Sequence, residues 1–180
     1  MHLPAYLTLK AEPETVRPGR TGWLTFTLNS EKLRSYGLTQ TNIYMSRYSG
    51  DRVSRDNEIY VSATLLPEIV ASATGAMPCA QLDSTLLTVR FEAKQKRVKR
   101  EVYLTNTGTA NLEVSAVQVY NPGLGVSLGK RTLEPGEKTK LKITVSNTAS
   151  TSKGRRRVLL ITNAPKQPKL LIDVMIEAGE

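Results

Sequence analysis

An all-β chain built from tandem β-sandwiches follows from three observations. The first is the stretch Leu133-Glu-Pro-Gly-Glu-Lys-Thr-Lys-Leu-Lys-Ile-Thr-Val145, a Pro-Gly turn opening into an alternating strand. Leu141, Ile143 and Val145 fall on one face of that strand, and Lys140, Lys142 and Thr144 on the other. The second is its recurrence 117 residues earlier as Val16-Arg-Pro-Gly-Arg-Thr-Gly-Trp-Leu-Thr-Phe-Thr-Leu28, where Pro18-Gly19 matches Pro135-Gly136 and Leu24, Phe26 and Leu28 match Leu141, Ile143 and Val145. The third is the distribution of apolar residues in short β-branched clusters between polar, Gly or Pro turns, with no helical period among them.

The 180 residues leave room for one large or two small domains, and the repeat favours two. The boundaries read as a first β unit over 1–66, a linker over 67–83 and a second unit over 84–180. A hydrophobic fraction of 39% in alternating clusters suffices for cores and argues against disorder. No apolar run approaches the length of a membrane span. The net charge of +9 is uneven: residues 1–75 hold eight basic and seven acidic side chains, residues 76–180 seventeen and nine. That excess either steers an anionic partner to the second half or keeps it solvated. A single cysteine, Cys79, forms no internal bridge and leaves the redox compartment open.

In the first unit, Leu3 to Ala11 holds a short strand with Leu7 and Leu9 apolar, which Pro13 ends. Pro18-Gly19 turns the chain into the strand Trp23–Leu28, because Pro fixes φ and Gly accepts the positive φ that follows. A polar connection over 29–39 leads to a strand over Thr41–Arg47; Ser49-Gly-Asp-Arg52 is a hairpin tip, and Glu58–Leu65 returns. Some fifty residues precede Pro135 in the second copy and seventeen precede Pro18 in the first. The first unit is therefore expected to be N-terminally truncated, its missing strands lying upstream of Met1, with exposed backbone edges that favour oligomers.

The linker, 67–83, carries Pro67, Gly75 and Pro78, and Ile69 to Thr74 reads as a short strand. Seven strands are predicted beyond it: Leu86–Phe91, Val98–Thr105, Leu112–Tyr120, Val126–Leu128, Lys140–Val145, Arg157–Thr162 and Leu170–Ile176. Asn106-Thr-Gly108 and Asn121-Pro-Gly123 supply turns. Seven short strands so separated make an immunoglobulin-like β-sandwich, with one face of each strand on the opposed sheet and the other wet.

The set Phe91, Val102-Tyr-Leu-Thr-Asn-Thr-Gly-Thr-Ala-Asn-Leu112, Leu133-Glu-Pro-Gly-Glu137, Ile143-Thr-Val145, Gly154 and Ile161-Thr-Asn163 with Pro168 resembles a bacterial immunoglobulin-like domain family of unknown function. That family is related to Hydin-type and major-sperm-protein-type domains. Leu3-Pro-Ala-Tyr-Leu-Thr, Ala11-Glu-Pro-Glu, Arg17-Pro-Gly19 and Tyr36-Gly37 resemble the latter part of a first copy in tandem members. The resemblance implies a secreted or periplasmic protein of Bacteroides-like bacteria, with any export signal upstream of Met1. Members often carry Cys-Gly-Cys-Thr after the third strand, where this chain has Tyr120-Asn-Pro-Gly-Leu-Gly-Val126. A metal, redox or lipid role tied to that motif has no support here.

Candidates for catalysis are few. His2 is the only histidine, beside the N-terminus; Cys79 beside Pro78 reads as a small semi-buried hydrophobe; Asp51 and Asp56, with Arg52 and Arg55 between them, read as a solvated hairpin end. No phosphate-cradling glycine motif is present. The expectation is a protein with no enzymatic activity, no cofactor and no metal. The strongest polar signal is basic: Lys94, Lys96, Arg97, Lys99 and Arg100 between the first two strands of the second unit, and Arg155, Arg156 and Arg157 behind Lys153 at the sixth. Such clusters suit phosphates or an anionic glycan, with strand order deciding whether they meet. Against nucleic acid, no recognition helix is predicted and Phe91, Tyr103 and Tyr120 do not interleave with the basic run. In the first unit Tyr44 and Tyr60 make a candidate aromatic surface. The functional expectation is an extracytoplasmic structural or protein- or glycan-interaction module, the alternative being polyanion or nucleic-acid binding through the basic loops.

Overall fold

A computed structural model describes residues 3–46, 48, 50–69, 75–151 and 155–177. The chain divides into two compact units, Met1–Leu65 and Leu66–Glu180. Arg47, Ser49, Lys153, Gly154, His2 and most of the strand expected over 69–74 lie outside the described residues.

Unit 2 carries the nine strands described after residue 65. They are β5 (Ala80–Leu82), β6 (Leu86–Arg90), β7 (Arg97–Asn106), β8 (Leu112–Val119), β9 (Leu124–Leu128), β10 (Thr132–Leu133), β11 (Lys138–Ser146), β12 (Arg157–Thr162) and β13 (Lys169–Glu177). One sheet has the order β10-β8-β12-β13-β6, the other β5-β7-β11-β9. All pairs are antiparallel except β13 with β6. Between the sheets lies one core, to which β7 and β11 send Val102, Leu104, Leu141, Ile143 and Val145, and β8, β12 and β13 send Leu112, Val158, Leu160 and Ile172. Each such side chain contributes about 1.5–3 kcal/mol through burial, and the two-residue period of β11 places Lys138, Lys140, Lys142 and Thr144 on the opposite side.

The seven expected strands are thus present, with two more. β5 occupies 80–82, inside the stretch read as linker, and pairs with β7 from Ala80 opposite Asn106 to Leu82 opposite Leu104. β10 pairs with β8 over two residues, Thr132 opposite Glu113 and Leu133 opposite Leu112. Both are too short to show a period.

Unit 1 holds four described strands, β1 (Leu7–Glu12), β2 (Trp23–Leu28), β3 (Gly37–Tyr44) and β4 (Glu58–Leu65), forming two antiparallel pairs, β1 with β2 and β3 with β4. A 3-10 turn at Ser30–Lys32 follows β2, and another at Arg55–Asn57 leads into β4. The latter is held by Asn57, whose Oδ1 accepts from Ser54 N (2.8 Å) and whose Nδ2 donates to Arg52 O (3.0 Å). Leu7 and Ile43 are the buried large apolar side chains among the described residues of this unit.

The repeat extends to the pairing register. Leu7 faces Leu28 and Ala11 faces Leu24; displaced by 117 residues, Leu124 faces Val145 and Leu128 faces Leu141. The turns agree as well: Gly19 and Gly136 both hold positive φ, +75° and +80°, which their lack of a Cβ permits. β1 and β2 are the counterparts of β9 and β11.

Candidate functional site

The basic residues carry the strongest sequence signal. β7 and β12 both begin at the end of the sandwich where β11 finishes. Lys96 O accepts from Asn147 N (3.0 Å), and Arg156 Nε donates to Ala149 O (2.5 Å). The structure therefore brings both basic stretches beside the 146–149 connection. Lys94 sits in a left-handed turn (φ 68°) and Lys96 next to it, both exposed. Arg97 and Lys99 alternate outward opposite Ser146 and Thr144. Arg100 shares the face of Val98 and Val102 but stays exposed. Arg155 is exposed, whereas Arg157 is half-buried and engaged by Asp173, its directly opposite partner on β13, through Nε–Oδ1 (2.6 Å) and Nη2–Oδ2 (3.0 Å) bonds. That fork holds the Asp173 carboxyl below its ordinary range and raises Arg157.

Other lysines of unit 2 are likewise engaged. Lys130 pairs with Glu137 (2.7 Å) and Lys140 with Glu101 (2.9 Å), lowering both carboxyls, chiefly by the hydrogen bond from the ammonium. The Lys138 and Lys140 ammoniums lie 4.9 and 5.8 Å from the Tyr103 ring centre. The two basic stretches thus lie together at the end of the sandwich that carries the 146–149 connection.

Asn106 is a polar centre that sequence reasoning missed. Fully buried, it donates through Nδ2 to Ala110 O (2.8 Å) and Leu133 O (3.0 Å), and accepts at Oδ1 from Gly108 N (3.0 Å) and Cys79 N (3.3 Å). Its backbone bonds Glu137 O and Gly136 N in the Pro135 turn. The side chain ties the 106–110 turn to Cys79 and to Leu133 and is satisfied on both ends, a structural use of a buried amide. Its only sequence signal is a turn-forming Asn-Thr-Gly. Cys79 is exposed, not semi-buried as its composition class suggests, because its backbone is pinned to Asn106 and Thr107 while the thiol faces outward. The cavity it lines with Pro78, Ala164 and Pro165 measures about 110 Å³, below the ~300 Å³ of small-molecule sites.

In unit 1, Tyr44 and Tyr60 share a face as diagonal neighbours, Tyr44 opposite Glu58 and Tyr60 opposite Asn42. Tyr44 donates to Glu58 Oε1 (3.3 Å), and Gln40 Nε2 donates to the Tyr60 hydroxyl, with Tyr60 largely exposed. A second feature had no sequence signal: a cavity of about 620 Å³ lined by Leu9, Ala11, Val16, Trp23, Leu24 and Met45. Trp23 is 80% exposed. Among the described residues no three His, Cys, Asp or Glu side chains gather as a metal site, and no helix is long and apolar enough to cross a membrane.

Residues 81–175 match the family described as protein of unknown function DUF1573. The chain belongs to that family. Over 98% of this DUF1573 chain and 82% of the other, the fold is similar to a crystal structure of a protein of unknown function from Porphyromonas gingivalis, with 18% identity and a TM-score of 0.69. More distant likenesses are to a PapD-like domain of human CEP192 (67% of this chain, 97% of that one; 14% identity, TM-score 0.42) and to the Vibrio cholerae VesB protease (55% of this chain, 32% of that one; 16% identity, TM-score 0.45). Neither of these two carries an argument about function. No curated protein matches the chain.

Proposed function

We propose that this DUF1573 chain is a non-enzymatic structural or interaction module, periplasmic or secreted, whose contacts with a protein or glycan are made by sheet faces and edges. The observation that carries this reading is the fate of one repeated strand. Leu141 and Val145 of β11 are 0% exposed, whereas their counterparts Leu24 and Leu28 on β2 are 38% and 37% exposed. An alternating apolar face left open in one copy and covered in the other suits docking. The polar groups support the same reading, since Asn106, Arg157 and Asp173 are spent on holding the sandwich. Location outside the cytoplasm is supported by the resemblance to secreted and periplasmic family members.

A second reading has its own observation: the two basic stretches flank the 146–149 connection together. Phosphate or sulfate groups of a polyanion would bind there with steep salt dependence. Capture with the chain as bait, from envelope and cytosolic extracts at about 0.15 M and about 0.5 M salt, separates the two. A protein or glycan retained at both salts supports the interaction module; retention of nucleic acid or acidic polymer at the lower salt alone supports the basic end. A turnover abolished by changing a few clustered side chains would overturn the first reading, and fractionation with an antibody tests the location.

A further inference from the structure

The outer face of the four-stranded sheet of unit 2 collects cations. Because β7 and β11 alternate in register, Lys138, Lys140 and Lys142 share that face with Lys99 and Arg97, and Glu101 is the one carboxylate on the two strands. The flanking β5 and β9 carry no charged residue. Glu101 is taken by Lys140 (2.9 Å). Arg97, Lys99 and Lys142 are exposed and form no ion pair among the described residues. At about 3.4 Å per residue the face extends about 27 Å from Lys138 to Ser146. There Arg97 stands opposite Ser146 and Lys96 O accepts from Asn147 N, so the face runs into the basic end.

The chemistry of the face sorts its partners. Beside the charges it bears hydroxyls, Thr144 opposite Lys99 and Ser127 opposite Lys142, and half-buried Tyr103 is its single aromatic side chain. It therefore offers no apolar anchor of the kind that fixes a protein interface. The Tyr103 ring is already met by the Lys138 and Lys140 ammoniums at 4.9 and 5.8 Å, which leaves no free ring for a base to stack on. Three lysines at every second position of one strand repel one another. An extended polymer with recurring anionic groups offsets that repulsion, and one rich in hydroxyls also suits Thr144 and Ser127.

We propose that this face binds an acidic polysaccharide, a sugar chain bearing carboxylate or sulfate groups, laid along β11 from Lys138 towards the basic end. Lys142, Lys99 and Arg97 take its anionic groups, and the hydroxyl of Thr144 meets a sugar hydroxyl between them. Lys140 stays with Glu101 and so contributes no net charge to the ligand. Affinity is electrostatic and falls steeply with salt, since each contact releases condensed counterions. The proposal rests on the polyanion reading given above, and it names the polymer and the surface beyond the end loops along which that polymer lies.

Fluorescence anisotropy of labelled dextran sulfate and labelled polygalacturonate, titrated with the full chain at about 0.05 M and about 0.2 M salt, tests the assignment. Neutral dextran and a short DNA duplex are the comparisons. At the lower salt at least one of the acidic polysaccharides is expected to bind, which tells sulfate from carboxylate, while dextran does not bind and the duplex binds about tenfold more weakly or worse. Lys99→Glu with Lys142→Glu is expected to weaken binding by about tenfold or more and to make the salt dependence shallower, whereas Lys99→Arg with Lys142→Arg keeps both. Equal losses in the glutamate and arginine pairs would show that charge on the face is not the cause and would overturn the assignment. So would equal or tighter binding of the duplex, or equal binding of dextran. Loss of binding in Lys94→Glu with Arg155→Glu, with the Lys99 and Lys142 variants unaffected, would leave the polyanion reading standing on the end loops and remove the track. Failure of every polyanion to bind at the lower salt would remove both.

Discussion

At the scale of single residues, the polar groups of unit 2 divide into those that hold the sandwich and those that face solvent. Replacing Asn106 by Ala removes the partner of two carbonyls, that of Leu133 buried and that of Ala110 half-buried, and of two amides at once. The expected loss is about 3 kcal/mol, at the upper end for an unmet buried group, measured by urea denaturation. Gly108→Ala tests the same junction from the other side, because a Cβ there would lie 2.3 Å from Met77 O and 2.4 Å from Cys79 N, both backbone atoms that must move. Arg157 and Asp173 give a pH-dependent counterpart. The folded state holds the Asp173 carboxyl below its ordinary value of 3.8, so the pair's contribution is complete above pH 3.8 and is lost as pH falls through the lower folded value. Asp173→Asn is expected to cost about 0.5–1 kcal/mol at pH 7, reduced by solvent screening, and to converge with the parent chain in acid melts. Neither feature was legible beforehand: Asn106 shows only a turn signal, and the partnership of Arg157 with Asp173 depends on strand register.

At the scale of elements, the long strands were legible and the short ones were not. β11 and β13 advertise themselves through alternation over nine residues each, while β5 and β10, with three and two residues, exist because a neighbour offers them hydrogen bonds. The repeat was read from the Pro-Gly turn, and it extends to the pairing register of β1 with β2 and of β9 with β11. What the sequence could not show is that equivalent strands sit in different surroundings. Leu141→Ala empties a fully buried site and is expected to cost about 3 kcal/mol. Leu24→Ala trims a side chain that is 38% exposed, and its cost in the isolated chain is expected to be about 1 kcal/mol. Paired denaturation curves check the contrast; equal losses would mean that β2 is as enclosed as β11.

At the scale of the whole molecule, two units that share a repeated strand pattern differ in how much of their secondary structure is cross-braced. Unit 2 closes its two sheets over a continuous core in which β7, β11 and β12 each have neighbours on both edges. Unit 1 consists of two strand pairs with Leu7 and Ile43 as its described buried anchors. Isolated two-stranded ribbons are marginal in water, since the ladder alone does not offset the entropy of ordering the chain. The amides of β7, β11 and β12 are therefore expected to exchange through the largest openings of the molecule, and those of β1 to β4 through small local ones, at least a hundredfold faster at the same pH and temperature. Exchange followed by mass spectrometry resolves the two classes. Comparable protection in β2 and β11 would show that the ribbon of unit 1 is closed without further strands, and the exposed Leu24 and Leu28 would then belong to the solvated surface.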